Sequence, residues 1–142
     1  MKKTFIVLCG IIIIFIITFW LLYYNNKMTF INVQKNNEKY EEYTENQVLG
    51  FSLINLMNMA SDENIKNGIE RDENGIFIEN DTNSIRIEIK FSEADKVVAM
   101  EKIHSLGDEQ FLKNYRTMSF QCTKVEYHEK TNRIKYLLFE QV

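Results

Sequence analysis

From Phe5 to Tyr24 the chain reads FIVLCGIIIIFIITFWLLYY, with no Asp, Glu, Lys or Arg in the run. A helix of about 20 residues rising 1.5 Å each covers roughly the 30 Å hydrocarbon core of a bilayer. Such a segment cannot join the core of a small water-soluble domain without burying its whole circumference. It predicts an N-terminal transmembrane helix, with membrane lipid as the partner of residues 5–24.

A cleaved secretory signal has a shorter apolar region that ends at small residues. This run ends Phe19-Trp20-Leu21-Leu22-Tyr23-Tyr24, and indole and phenol rings settle at the headgroup level. The expectation is therefore an anchor that stays attached. Lys2 and Lys3 precede the run, whereas Asn25-Asn26-Lys27 follows it. By the positive-inside tendency, the N-terminus lies in the cytoplasm and the C-terminal part lies outside. The predicted localisation is a single-pass protein of the cell membrane with an extracytoplasmic domain.

About 115 residues remain beyond the anchor, enough for one modest core. All 20 acidic residues lie there, with all but two of the 17 basic ones. That negative balance, without a basic cluster, argues against nucleic acid as a partner. Proline is absent, Asn, Lys and Ile are abundant, and Ala is scarce. This is the bias of an AT-rich genome and points to a bacterium; the many asparagines read as nucleotide composition. Cys9 sits inside the apolar run and Cys122 in the domain, so no disulfide joins them. Cys122 is expected to pack as a small buried hydrophobe.

Three segments follow from patterning: 1–26 as the transmembrane anchor, 27–47 as a polar juxtamembrane or helical connector, and 48–142 as an α+β domain. Thr29, Phe30, Ile31 and Val33 either prolong the first helix or form a short extended piece. Leu49, Leu53, Leu56, Met57 and Ala60 recur at spacings of three and four, the stripe of an amphipathic helix that fades at Asn67-Gly68. Asp72-Glu73-Asn74-Gly75 between two apolar pieces predicts a hairpin turn. Ile85, Ile87, Ile89 and Phe91 alternate with Arg86, Glu88 and Lys90, the clearest strand. Ser92 to Asp95 reads as a loop and Val97 to Ile103 as a further strand. Asp108 to Tyr115 reads as a short helix capped by Asp108, with Phe111 and Leu112 facing inward. Met118–His128 and Arg133–Glu140 predict a closing hairpin with a bulge near Thr123-Lys124. The expected fold class is α+β: an amphipathic helix packed on a small antiparallel sheet with one inserted short helix.

Chemistry-bearing residues are sparse. His104 neighbours Ser105, and His128 lies between Glu126 and Glu129 near a turn, where a solvated histidine is expected. Neither has a partner at the i, i+4 spacing of a histidine metal site, and Cys122 has no nearby cysteine. Asp72–Gly75 and Glu79-Asn80-Asp81 carry oxygen ligands suited to calcium, but their spacing fits turns instead of a twelve-residue calcium loop. No catalytic, cofactor-binding or metal-binding residue is assigned, and the chain is read as non-enzymatic.

An apolar N-terminal helix, running into an amphipathic helix and then an antiparallel sheet, resembles type IV pilins and the pseudopilins of secretion systems; the segment Val48-Leu49-Gly50-Phe51-Ser52-Leu53-Ile54-Asn55-Leu56-Met57-Asn58, followed by the strand Asn83–Ile89, also looks like small anchored proteins of AT-rich bacteria. Gly10 follows Val7-Leu8-Cys9 and the fifth residue after it is Phe15, so neither the prepilin cleavage pattern nor the glutamate of mature pilins is present. The likeness implies an unprocessed minor or accessory component that works by protein–protein assembly. A membrane-tethered ligand-sensing or cell-envelope binding domain is the alternative; a concave pocket lined by Tyr40, Tyr43 or Tyr127 would favour it.

Overall fold

A computed structural model describes residues 2–93 and 96–142, so Ala94 and Asp95 of the expected loop lie outside the described residues. The chain divides into two compact units, residues 1–35 and 36–142.

The first unit is helical throughout its described length and belongs to α1 (Lys2–Glu41). The large apolar side chains from Ile6 to Tyr24 are between 47% and 70% exposed. A helix with that circumference is long and apolar enough to cross a membrane. The Thr18 hydroxyl in this stretch donates to the Ile14 carbonyl at 2.8 Å, one turn back along the helix. Trp20 and Tyr24, one turn apart, stack with centroids 5.8 Å apart.

The second unit is a two-layer α+β domain. After the tail of α1 come β1 (Val48–Leu49), α2 (Gly50–Lys66), β2 (Arg86–Lys90), β3 (Val97–Ala99), α3 (Met100–Leu106), α4 (Asp108–Tyr115), β4 (Ser119–Tyr127) and β5 (Ile134–Gln141). The strands form one sheet in the order β1-β4-β5-β2-β3. Three pairings are antiparallel, but β2 runs parallel to β5 with Ile87 opposite Leu137 and Ile89 opposite Phe139. The sheet is therefore mixed, which corrects the antiparallel expectation.

Period-two alternation decides which face is covered. Ile87, Ile89, Leu137, Phe139 and Phe120 are buried, and α2 supplies Leu53, Leu56, Met57 and Ala60 against them. On the opposite face Arg86 pairs with Glu88, Lys124 with Glu126, and the Tyr136 hydroxyl donates to Glu88 at 2.7 Å. That face is wet. The expected bulge falls between Cys122 and Lys124, where it restores the inward phase of Val125 after Cys122.

Three local expectations are corrected. Leu49 belongs to β1 and is exposed, so the buried stripe of α2 begins at Leu53. Val97–Ile103 is not one strand: after β3 the chain turns into α3, whose Met100 and Ile103 are both buried at helical spacing. Two short helices, not one, are thus inserted before β4. Asp108 opens α4 without capping it; Gly107 occupies the cap position. The hairpin around residues 72–75 is real but minimal, a single bridge between Arg71 and Phe77.

Residues 36–41 pack in the second unit. Tyr40 is fully buried, and Asn37 uses both ends of its carboxamide on the β4–β5 connection. Its Nδ2 donates to the Asn132 carbonyl at 2.8 Å, and its Oδ1 accepts from the Ile134 amide at 2.9 Å. The domain core therefore begins ahead of residue 48.

Candidate functional site

The corner where α3 meets α4 gathers the features with the most chemical content. Gly107 joins the helices with φ +94°, a conformation that L side chains rarely adopt. His104, in the last turn of α3, places Nδ1 2.7 Å from Asp108 Oδ1 in the first turn of α4. Asp108 sits at the helix N-terminus, the end that suits a carboxylate. Asn58 of α2 donates to the other Asp108 oxygen at 3.5 Å. His104 Nε2 is buried with no hydrogen-bond partner among the described residues. A general base needs that nitrogen aimed at a proton to be abstracted. Here the imidazole braces the corner, and Ser105 is turned away to the Lys102 carbonyl at 2.8 Å.

Beside this brace lies a cavity of about 380 Å³ lined by Phe91, Val98, Ile103, Leu106, Phe111 and Tyr115, with Gly107, Gln110 and Asn114 completing its wall. Phe91 and Tyr115 have centroids 4.6 Å apart, and Phe111 and Tyr115 5.2 Å. Phe120 of β4 backs Phe91 and Phe111, each at 6.3 Å. Mutual ring contacts of this kind hold the wall in one arrangement. The expected tyrosines sit elsewhere. Tyr40 is in the core, and burial, reinforced by Glu63 and opposed by Arg133, pushes its phenol well above the usual range. Tyr127 lines a separate cavity of about 510 Å³ with Glu79, Asp81, Lys130 and Lys135.

His128 is 3% exposed, which overturns the solvated expectation. Its Nε2 donates to the Ser84 carbonyl at 2.7 Å, fastening the β4–β5 turn to the loop before β2. In that loop Asn80 Oδ1 accepts from the amides of Thr82, Asn83 and Ser84. The Asp72 carboxylate accepts from Ile76 and Asn74 amides, and these bonds hold it below the usual carboxylate range. Both acidic segments are thus turns closed on their own backbone. Among the described residues no group of three or more His, Cys, Asp or Glu side chains gathers in a metal-binding arrangement. Cys122 is half-buried against the core, with Sγ 3.5 Å from the Lys124 carbonyl, and burial pushes its thiol up.

The aromatic cavity was missed from sequence because its parts are scattered from Phe91 to Tyr115 across a loop, the strand β3 and two helices. The signal available was the Phe111–Tyr115 pair at i, i+4, which reads equally as core. No family model, curated protein or solved structure matches the chain.

Proposed function

We propose that this chain is a single-pass membrane-anchored, non-enzymatic protein that presents its α+β domain outside the cytoplasm for protein–protein assembly, in the manner of a pilus-like or secretion component. The observation that carries the reading is the exposed apolar girth of α1 from Ile6 to Tyr24, which only lipid or an equally apolar partner can cover. Assembly is supported at the sheet edge: β1 is a two-residue edge strand, and Leu49, Phe51 and Met118 are 39%, 45% and 44% exposed there. The Gly50 amide donates to the Met118 carbonyl at 3.0 Å, so these side chains flank one short stretch of backbone. Exposed apolar side chains clustered beside a sheet edge are a surface that a further chain can cover.

The test has two arms. The full chain should stay in the membrane fraction through an alkaline carbonate wash, with the C-terminal domain cleaved by protease added from outside. Cross-linking in mild detergent should capture a second copy or a membrane protein, and Phe51→Asp should abolish the adduct. A chain that washes free, or adducts indifferent to Phe51→Asp, defeats the corresponding half. A ligand-sensing domain is the second reading, favoured by the aromatic cavity between α3, α4 and the β2–β3 edge.

A further inference from the structure

We infer that the cavity at the α3–α4 corner binds a small uncharged aromatic molecule. This rests on the ligand-sensing reading and is independent of how the chain is anchored. The cavity's size, about 380 Å³, falls within the roughly 300–1,000 Å³ of small-molecule sites. Among the described residues its lining holds no ionisable group apart from the Tyr115 phenol: six apolar or aromatic side chains, one glycine and the amides Gln110 and Asn114. The cavities along α2 and beside the β4–β5 turn are lined by Asp, Glu and Lys instead.

Charge decides against an anion here: it would shed its hydration, find no cationic group among the described wall residues and meet the electron-rich faces of the rings. A compact, strongly hydrated cation finds no carboxylate among them either. A neutral ring exchanges water for the faces and edges of Phe91, Phe111 and Tyr115, which are already packed on one another and need no rearrangement to receive it. Gln110 and Asn114 sit one helical turn apart on α4, with Asn114 Nδ2 3.4 Å from the Gln110 carbonyl. Their carboxamides supply one donor or acceptor for a ring N–H or hydroxyl. Leu106, 65% exposed, stands at the mouth where it can close over a bound ring.

The test uses the full chain in lipid nanodiscs, methyl-labelled at Val, Ile and Leu, titrated with indole and separately with indole-3-carboxylate. Indole should shift Val98, Ile103 and Leu106 methyls saturably. The carboxylate should bind at least about tenfold more weakly, the factor that a 1.4 kcal/mol desolvation penalty imposes. Val98→Phe, which fills the cavity, should abolish the shifts. Leu106→Asp, a change at an exposed position that leaves folding intact, should weaken indole binding with an unchanged melting temperature. A flat titration, equal binding of the two probes, or shifts spread over Leu49 and Leu138 as well overturns the inference. None of these outcomes alters the carbonate result.

Discussion

Replacing Gly50 by alanine sets two opposite physical expectations against each other. In an unobstructed helix the change stabilises by roughly 0.5–1 kcal/mol, because glycine loses the most backbone freedom on folding. Gly50 is not unobstructed. A Cβ built on it lies 2.0 Å from the Tyr115 carbonyl oxygen and 2.8 Å from its carbon, both backbone atoms at the end of α4. The two segments cannot simply part. The Gly50 and Phe51 amides donate to the Met118 and Arg116 carbonyls at 3.0 and 3.3 Å, and no side chain caps α2 at Leu49. Separation therefore breaks the bonds that satisfy the helix's first amides. Overpacking of this kind costs about 1–3 kcal/mol, and two weakened hydrogen bonds add about 1 each. Even after the propensity gain, the net is about 3 kcal/mol of destabilisation. For a domain of this size that lowers the melting temperature on the order of 10–20 °C. The assay is near-UV circular dichroism of the full chain in mild detergent, with hydrogen exchange of the α2 and β4 amides alongside. A G50A midpoint at or above that of the parent would refute the reasoning, since it would mean that the α2–α4 contact yields freely.

Asn64 is fully buried and donates to the Ile85 carbonyl at 2.7 Å while accepting from the Ile85 amide at 2.8 Å. Asn64→Ala should cost about 2–4 kcal/mol, because it leaves two buried backbone groups unpaired, and the Ile85 amide should lose its exchange protection first. Asn64→Asp should be as damaging at neutral pH and partly recover in acid, where protonation restores a donor. Asp72 titrates below a free aspartate because the Ile76 amide, then Asn74, stabilises its charged form. Its contribution is present above the unfolded value and is lost as pH falls through the lower folded one. An NMR titration should show the Asn74 and Ile76 amide shifts moving with a midpoint below that of an Asp in a peptide. A midpoint at the peptide value contradicts the turn geometry.

Elements with strong local signals were legible. The Ile85–Phe91 alternation, the α4 boundaries and the bulge after Cys122 each depend on period and phase within one short segment. What escaped depends on distant partners. Parallel pairing of β2 with β5 joins residues about fifty positions apart and leaves no trace in either strand's pattern. The pair Val97-Val98 favoured a strand through Ile103, yet Met100, Glu101 and Lys102 are good helix formers, and burial of Met100 with Ile103 settled it. His128 looked solvated among charged neighbours; only the approach of the Ser84 carbonyl makes its burial affordable. The candidate cavity was illegible for the same reason, since five of its lining residues, Phe91, Val98, Ile103, Phe111 and Tyr115, are otherwise unremarkable positions in or against the core. The asparagines were read as composition, whereas Asn37, Asn64 and Asn80 each replace a missing backbone partner.

That role of asparagine bears on where the folding unit starts. A boundary at residue 48 removes Tyr40, whose buried ring is worth about 3–5 kcal/mol by analogy with large aromatic truncations. It also removes both Asn37 bonds to the β4–β5 connection, about 1 kcal/mol each, and leaves the Ile134 amide buried without an acceptor. Together these approach the whole stability of a domain, about 5–15 kcal/mol. A fragment of residues 36–142 should therefore show a cooperative thermal transition with near-UV ellipticity, while residues 48–142 should be molten or aggregated. Adding back the 36–47 segment as a peptide should recover part of the signal, because its contacts are made by side chains and not by chain continuity. If residues 48–142 alone melt at the same temperature as 36–142, the tail of α1 is an ornament on the fold, and the clamp made by Asn37 contributes nothing to holding the β4–β5 hairpin.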